Sequence, residues 1–302
     1  MNIIGPGMRT LAMLAFTTLA LAGPVAAAPL RDMLGREVAL RAPPQRIVSL
    51  VPSVTEIVYA LGGEARLAGR TDYCDFPPAA RLKPSVGGMV GPSLETIVTL
   101  RADLVIATTE GNRQETVEQL RRLGIPVYLV AVQRWAEVKD VVGRVGELTG
   151  RTEAVEPLLA RLEARVARVA RAVAPFPRPR VLYVLWPEPL IVPGRHAVIT
   201  ELIELAGGRS ITAGDAETYP RLSLEAAVAK APEVIVLADH GGDESGAHTA
   251  QIQEKWKRLR SLPAVKSGRL HSVDGGLLHR YGPRIVDGLE QLARAIHPEA
   301  FR

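Results

Sequence analysis

The chain has 302 residues, 47% hydrophobic and 23% charged, which is ample for a packed core and suits one or two domains. Its formal charge is +5, yet the arginines are dispersed with no aromatic-interleaved basic patch, which argues against a nucleic-acid partner. The single cysteine, Cys74, excludes an internal disulfide, so stability must come from the core.

In chain order, the first 28 residues read as an export signal. Arg9 precedes an apolar run over 11–22, and Ala26 and Ala28 stand in Ala-x-Ala spacing, so cleavage is expected after Ala28. Met8, directly ahead of Arg9, is an alternative start. The run is too short to span a bilayer, and no other stretch reaches about 18 apolar residues. No cysteine stands at the cleavage point to carry a lipid. A soluble, exported mature protein is expected.

"RIVSL" over 46–50 has the pattern of a buried strand. "PSVTEIVYALGG" follows as a helix, with Ser53 and Glu56 in the spacing of a capping box and Gly62 ending it. Next come helix 94–100, strand 103–107, helix 113–123 closed by Gly124, strand 126–130 and helix 136–148. A long helix is predicted from Thr152 to about Val173, with Pro157 near its start. At 1.5 Å per residue it spans about 33 Å, the width of a small domain. Leu158, Leu162, Val166, Val169 and Val173 form its apolar stripe, and Arg161, Arg165, Arg168 and Arg171 a solvated face. A second block then repeats the plan: strand 180–185, helices 197–206 and 223–230, strand 233–237, helix 249–260, a strand near 269–273 and helix 284–296. Strands separated by helices predict parallel sheets, hence two α/β lobes held apart by a rigid helix.

"GPSLETIVTLRADLVIA" (91–107) and "PRLSLEAAVAKAPEVIVLA" (220–238) match at an offset of 130 positions. Ser93 and Ser223 are predicted N-caps, which puts Glu95 and Glu225 at the second helical position, near the positive end of the helix dipole. Either glutamate alone reads as a helix stabiliser. Matched on equivalent lobes, the two read as carboxylates of one surface that meets a symmetric, positively charged partner.

With "RIVSLVPSVTEIVYALGG", "GRTDYCDFPPAARLKPSVGGMVGPSLETIVTLRADLVIATTEGN", "QLRRLGIPVYLV", "LSLEAAVAKAPEVIVLA" and "RYGPRIVDGLEQLARAIHP", the chain resembles the cobalamin-binding periplasmic proteins of ABC importers. The resemblance covers essentially the whole mature chain. It implies the class III architecture: two α/β lobes with parallel-rich sheets, one long backbone helix, little hinge motion and a ligand in the cleft between lobes. The expected divisions are a signal peptide over 1–28, a first lobe over 29–135, a helical connector over 136–175 and a second lobe over 176–302. The resemblance further implies a periplasmic monomer with no cofactor of its own. Its cargo would be cobalamin, or else haem or a ferric siderophore, whose binders share the architecture. Glu95 and Glu225 match the family's glutamates that dock on arginines of the permease dimer.

In parallel sheets, ligands sit beyond the carboxyl ends of the strands. Aromatic residues make up only 4% of the chain, so Tyr73, Trp186, Tyr219 and Tyr281 in post-strand loops stand out. Their flat amphipathic rings suit a corrin or porphyrin face. The resemblance supports Tyr73 and Tyr219 as cleft aromatics; Met89 and Thr108 fall where relatives present tryptophan, and Asp274 matches a cleft acid. The competing readings are loop packing for Tyr73 and Tyr219, lobe core for Trp186 and turn formation for Asp274. Cys74 is either a thiolate ligand or, as lone cysteines more often are, a small buried residue. The histidines do not cluster with metal spacing, and "DHGGDESGAH" reads as a mobile loop. His279 is an axial ligand only if the cargo is haem. No zinc or manganese set, G-x-S-x-G or H-E-x-x-H is present, so no catalytic or metal residue is assigned and an exported hydrolase is disfavoured.

Overall fold

The structure, a computed structural model, describes residue 1, residues 30–240 and residues 245–302, the side chains of 245–249 excepted. The export signal, Asp243, Glu244 and the His248 side chain lie outside the described residues. Among the described residues, no helix is long and apolar enough to cross a membrane.

The first four strands, β1 (Ile47–Ser49), β2 (Leu67–Arg70), β3 (Leu104–Thr108) and β4 (Val127–Val130), form a parallel sheet in the order β2-β1-β3-β4. Later come β5 (Arg180–Val184), a hairpin of β6 (Trp186–Pro187) and β7 (Leu190–Ile191), then β8 (Arg209–Ser210), β9 (Val234–Asp239) and β10 (Leu270–Asp274). β5, β8, β9 and β10 form a second parallel sheet in the order β10-β9-β5-β8. Read from its other edge, β8-β5-β9-β10, this is the topology of the first sheet. The chain carries one plan twice.

The helices are α1 (Pro52–Ala60), α2 (Leu94–Thr99), α3 (Gln114–Arg122), α4 (Trp135–Thr149), α5 (Val155–Val173), α6 (Val198–Leu205), α7 (Leu224–Ala229), α8 (Ser245–Lys257), α9 (Pro263–Lys266), α10 (Gly275–Leu278) and α11 (Ile285–Ile296). β1, β3, β4, β5 and β9 are buried on both faces, which explains their near-continuous apolar runs. Alternate residues divide between two cores. Val48, Val105, Ala107, Val127 and Leu129 pack on an outer core of the first lobe. Leu182, Val184, Ile235 and Leu237 do the same in the second lobe. The other faces, including Ile47, Ile106, Tyr128, Tyr183 and Val236, share one central core with α1, α4, α5, α6 and α11. The two lobes are therefore halves of a single hydrophobic interior.

The five predicted stripe residues of α5 are its buried residues, and the helix starts at Val155 after a 3-10 turn over Thr152–Ala154. Its arginine face is not wholly solvated. Arg165 donates to Asp287 at 2.6 Å and to Glu290 at 2.9 and 3.0 Å, fastening α5 to α11. The capping box is also corrected. α1 begins at Pro52 after Val51, and Ser53 and Glu56 lie inside the helix, buried. Proline's fixed φ and missing N–H suit the first helical turn, so the helix starts ahead of the serine. Glu56 instead reaches the second lobe, where Arg284 Nη2 donates to its Oε1 at 2.5 Å.

The repeated phrase has a repeated structure. Ser93 accepts from Thr96 N and Ser223 from Ala226 N, each at 3.1 Å. Arg101 and Ala231, 130 positions apart, both take positive φ, 51° and 45°, where a side chain is normally disfavoured. Just beyond, the Asp103 carboxylate accepts from the backbone of Gln45 and Arg46, and Glu233 accepts from that of Arg180.

Candidate ligand cleft

The carboxyl ends of β3, β5, β9 and β10 meet at a gap between the lobes. One or two residues past β3, β5 and β9 stand Glu110, Leu185 with Trp186, and His240; past β10 and α10 stand His279 and Tyr281. With Ile191 and Tyr219 they line a cavity of about 350 Å³. Glu110 comes from the first lobe and the rest from the second.

Backbone pairing aims Tyr219. Val192 N donates to Pro220 O at 3.2 Å, Gly194 N to Thr218 O at 2.8 Å and Leu222 N to Leu190 O at 2.9 Å. Residues 218–222 thus run as a strap beside the β6–β7 hairpin. The Tyr219 and Tyr281 hydroxyls are 2.5 Å apart and share a hydrogen bond. Burial pushes both phenols up, and the Glu110 charge adds to the effect, so both stay protonated.

Two imidazoles complete the wall. His240 Nε2 donates to the Leu185 carbonyl at 2.7 Å, and the His279 Nε2 shares a hydrogen bond with the Tyr183 hydroxyl at 2.9 Å. Their rings are 5.2 Å apart, and Trp186 lies 5.2 Å from His240. Burial, with repulsion from His240, pushes His279 down to about 3, which keeps it neutral at ordinary pH. The cavity therefore offers rings, the neutral hydrogen-bonding tips of Tyr219, Tyr281 and His279, and one carboxyl at its edge.

The predicted site residues divide. Trp186 and Tyr219 line the cavity, as do His279 and Tyr281. Trp186 is 44% exposed, so the reading as lobe core is wrong for it. Tyr73, Met89 and Asp274 are not in its lining. Tyr73 is 57% exposed in the turn after β2. The Met89 carbonyl accepts from Asn112 Nδ2 at 2.8 Å, and its methyl packs against Gly111, next to Glu110. Asp274, exposed at the end of β10, caps α10 by accepting from Gly276 N at 2.8 Å. Cys74 is buried against the Thr71 hydroxyl at 3.2 Å, and burial pushes its thiol up, away from a thiolate. Sequence reasoning missed Glu110 and His240 as lining residues. Their one signal is position, one or two residues beyond a strand end.

Below the cavity the lobes are latched. Arg280 pairs with Asp75, and Arg284 pairs with Glu56 while its guanidinium lies 3.9 Å over the Phe76 ring. Gly282, between these arginines, leaves no room for a methyl: a Cβ there would sit 2.9 Å from Glu56 Oε2. Elsewhere on the surface, Glu95 and Glu225 are exposed in the first turns of α2 and α7. A hydrogen bond from its own backbone N–H, with the Ser223 hydroxyl, holds the Glu225 carboxyl below the usual range.

Two parallel α/β lobes on a shared core, with an amphipathic cavity at their facing strand ends, define a bilobal ligand-binding protein. Residues 47–275 match the periplasmic binding protein family, and the chain belongs to that family of ABC-importer substrate-binding proteins. It is 30% identical over 259 residues to the vitamin B12-binding protein of Photorhabdus laumondii, covering 85% of this chain and 90% of that one. The solved periplasmic vitamin B12-binding protein of Vibrio cholerae is 27% identical with a TM-score of 0.73, covering 86% of this chain and 99% of the other. A periplasmic haem-binding protein from Pseudomonas aeruginosa is 30% identical with the same TM-score, 0.73, covering 84% and 93%. Proteins of this family bind their ligands rather than transform them.

Proposed function

We propose that this protein captures a corrinoid, cobalamin, between its lobes and hands it to the permease dimer of an ABC importer. The observation that carries the reading is the ring-lined cavity of Trp186, Tyr219 and Tyr281 opposite Glu110. A corrinoid is larger than this cavity, so its edges would extend beyond the lining, and Tyr73, Met89 and Asp274 are the residues we assign to meet them. Glu95 and Glu225 are the docking carboxylates, each pairing with an arginine of one permease subunit in a charge-assisted contact. The chain is exported by cleavage after Ala28 and acts as a monomer, divided into lobes over 29–135 and 176–302 by the connector over 136–175.

A second reading, haem or a ferric siderophore as cargo, is favoured by the His240 and His279 imidazoles that line the cavity, of which burial keeps His279 neutral. Ultraviolet-visible spectra of the purified protein after incubation with cyanocobalamin, haemin and a ferric siderophore separate the two. A co-eluting corrin spectrum with saturable calorimetric binding is expected. A stoichiometric haemin complex with a shifted Soret band, and no corrinoid retained, would replace the first reading by the second.

A further inference from the structure

We propose that the docking site of the second lobe is bipartite. The Glu225 carboxylate takes a cation of the permease, and an apolar groove beside it takes a bulky apolar side chain carried on the same permease loop. This rests on the reading of Glu225 as a docking group.

The groove encloses about 410 Å³ between the β6–β7 hairpin and α8. Its apolar walls are Trp186, Leu190, Leu224, Ile252, Trp256 and Leu259. Leu224 immediately precedes Glu225 on α7, so a group that meets the carboxylate stands one residue from the groove. Leu224 and Trp186 are 45% and 44% exposed, and large apolar surface left together at the rim of a cavity marks a contact site. The Lys255–Glu188 ion pair, 2.6 Å long, bounds the same groove. An apolar centre with a charged rim is the usual anatomy of a protein interface.

The internal repeat makes the point sharper. Leu94 and Leu224 are equivalent positions, each one residue ahead of its glutamate. Leu94 packs on the outer core of the first lobe. On the second lobe the neighbours Leu222 and Val228 take that duty, and Leu224 faces the groove. The groove is thus not a by-product of the duplicated plan. Its occupant is a permease loop in which an arginine or lysine stands next to a leucine- or phenylalanine-sized residue, matching carboxylate and groove at once.

The test uses right-side-out inner-membrane vesicles from source cells deleted for their own copy of this protein. Binding of the purified full chain is measured for the wild type, Leu224→Asp, Leu224→Met and Glu225→Arg, with cargo binding as a control. Leu224→Asp should weaken vesicle binding about tenfold or more, the scale of losing one buried leucine. Leu224→Met should retain it, and cargo binding should be unchanged throughout. Leu224→Asp binding like wild type while Glu225→Arg is impaired would overturn the groove and leave the docking carboxylate standing. Wild-type binding by both Leu224→Asp and Glu225→Arg would overturn the docking reading itself. If sedimentation shows a dimer that Leu224→Asp dissolves, the groove belongs to a second copy of this chain and the proposal falls.

Discussion

Gly194 stands where the strap that carries Tyr219 comes closest to the chain: a Cβ there would lie 1.9 Å from the Glu217 carbonyl oxygen. No side chain fits, and so the strap and its tyrosine keep their place. Replacing Tyr219 with Ala should weaken cargo binding by about 1–3 kcal/mol, the scale for burying a large side chain. Calorimetry giving an unchanged affinity would remove Tyr219 from the site. His279 makes a different prediction, through pH. Its folded pKa of about 3 lies below its ordinary 6.5, so between these values the unfolded chain binds the extra proton. Its share of stability is complete above about pH 6.5 and is lost as pH falls toward 3. His279→Gln, which can still meet the Tyr183 hydroxyl, should show a shallower loss of stability with acid over that window; identical pH profiles in chemical denaturation would show that His279 does not stay neutral in the fold. The aromatic members of the site were legible because rings are scarce in this chain and gather after strands. Glu110 and His240 were not, because nothing local says that the ends of β3 and β9 face each other across the gap. Tyr73, exposed in the turn after β2, and Asp274, which caps α10, stand outside the lining of this cavity.

Among the elements, α5 lies at the boundary of both lobes. Leu162 packs in the core that also holds Ile106 of the first sheet and Val236 of the second. Leu162→Ala should therefore cost about 2–5 kcal/mol and lower a single thermal transition for the whole molecule. Two separate calorimetric transitions would show that the lobes fold as independent units. The long helix, the buried strands and the repeated helix–strand phrase were legible because each is written in local periodicity. β2 was not, since Gly69 breaks its pattern; the glycine is needed where a Cβ would meet the Leu100 side chain at 2.6 Å. β8, two residues long, and the hairpin of β6 and β7 are set by their partners rather than by their own residues. The S-x-x-E spacing in α1 misled for a tertiary reason: Glu56 is committed to Arg284, 228 residues away.

At the scale of the whole molecule, the lobes are joined by side-chain packing and two cross-lobe ion pairs, not by a flexible linker. Closing them further would require the shared interior to repack, and packed interiors resist continuous deformation. Solution scattering should give nearly the same radius of gyration with and without cargo. A contraction of the kind produced by wide hinge closure would contradict this. The β6–β7 hairpin and its strap form a small unit of their own. These few residues supply Trp186, Ile191 and Tyr219 to the cavity, yet they pair with each other and stand outside both main sheets. Substitutions there can change the shape and chemistry offered to cargo without disturbing the central interior. The chain thus divides its heritable constraints: the duplicated sheets must hold still, while the cavity-facing positions of the hairpin and strap can vary toward a new ligand within the limits set by the close approach at Gly194 and by the groove wall.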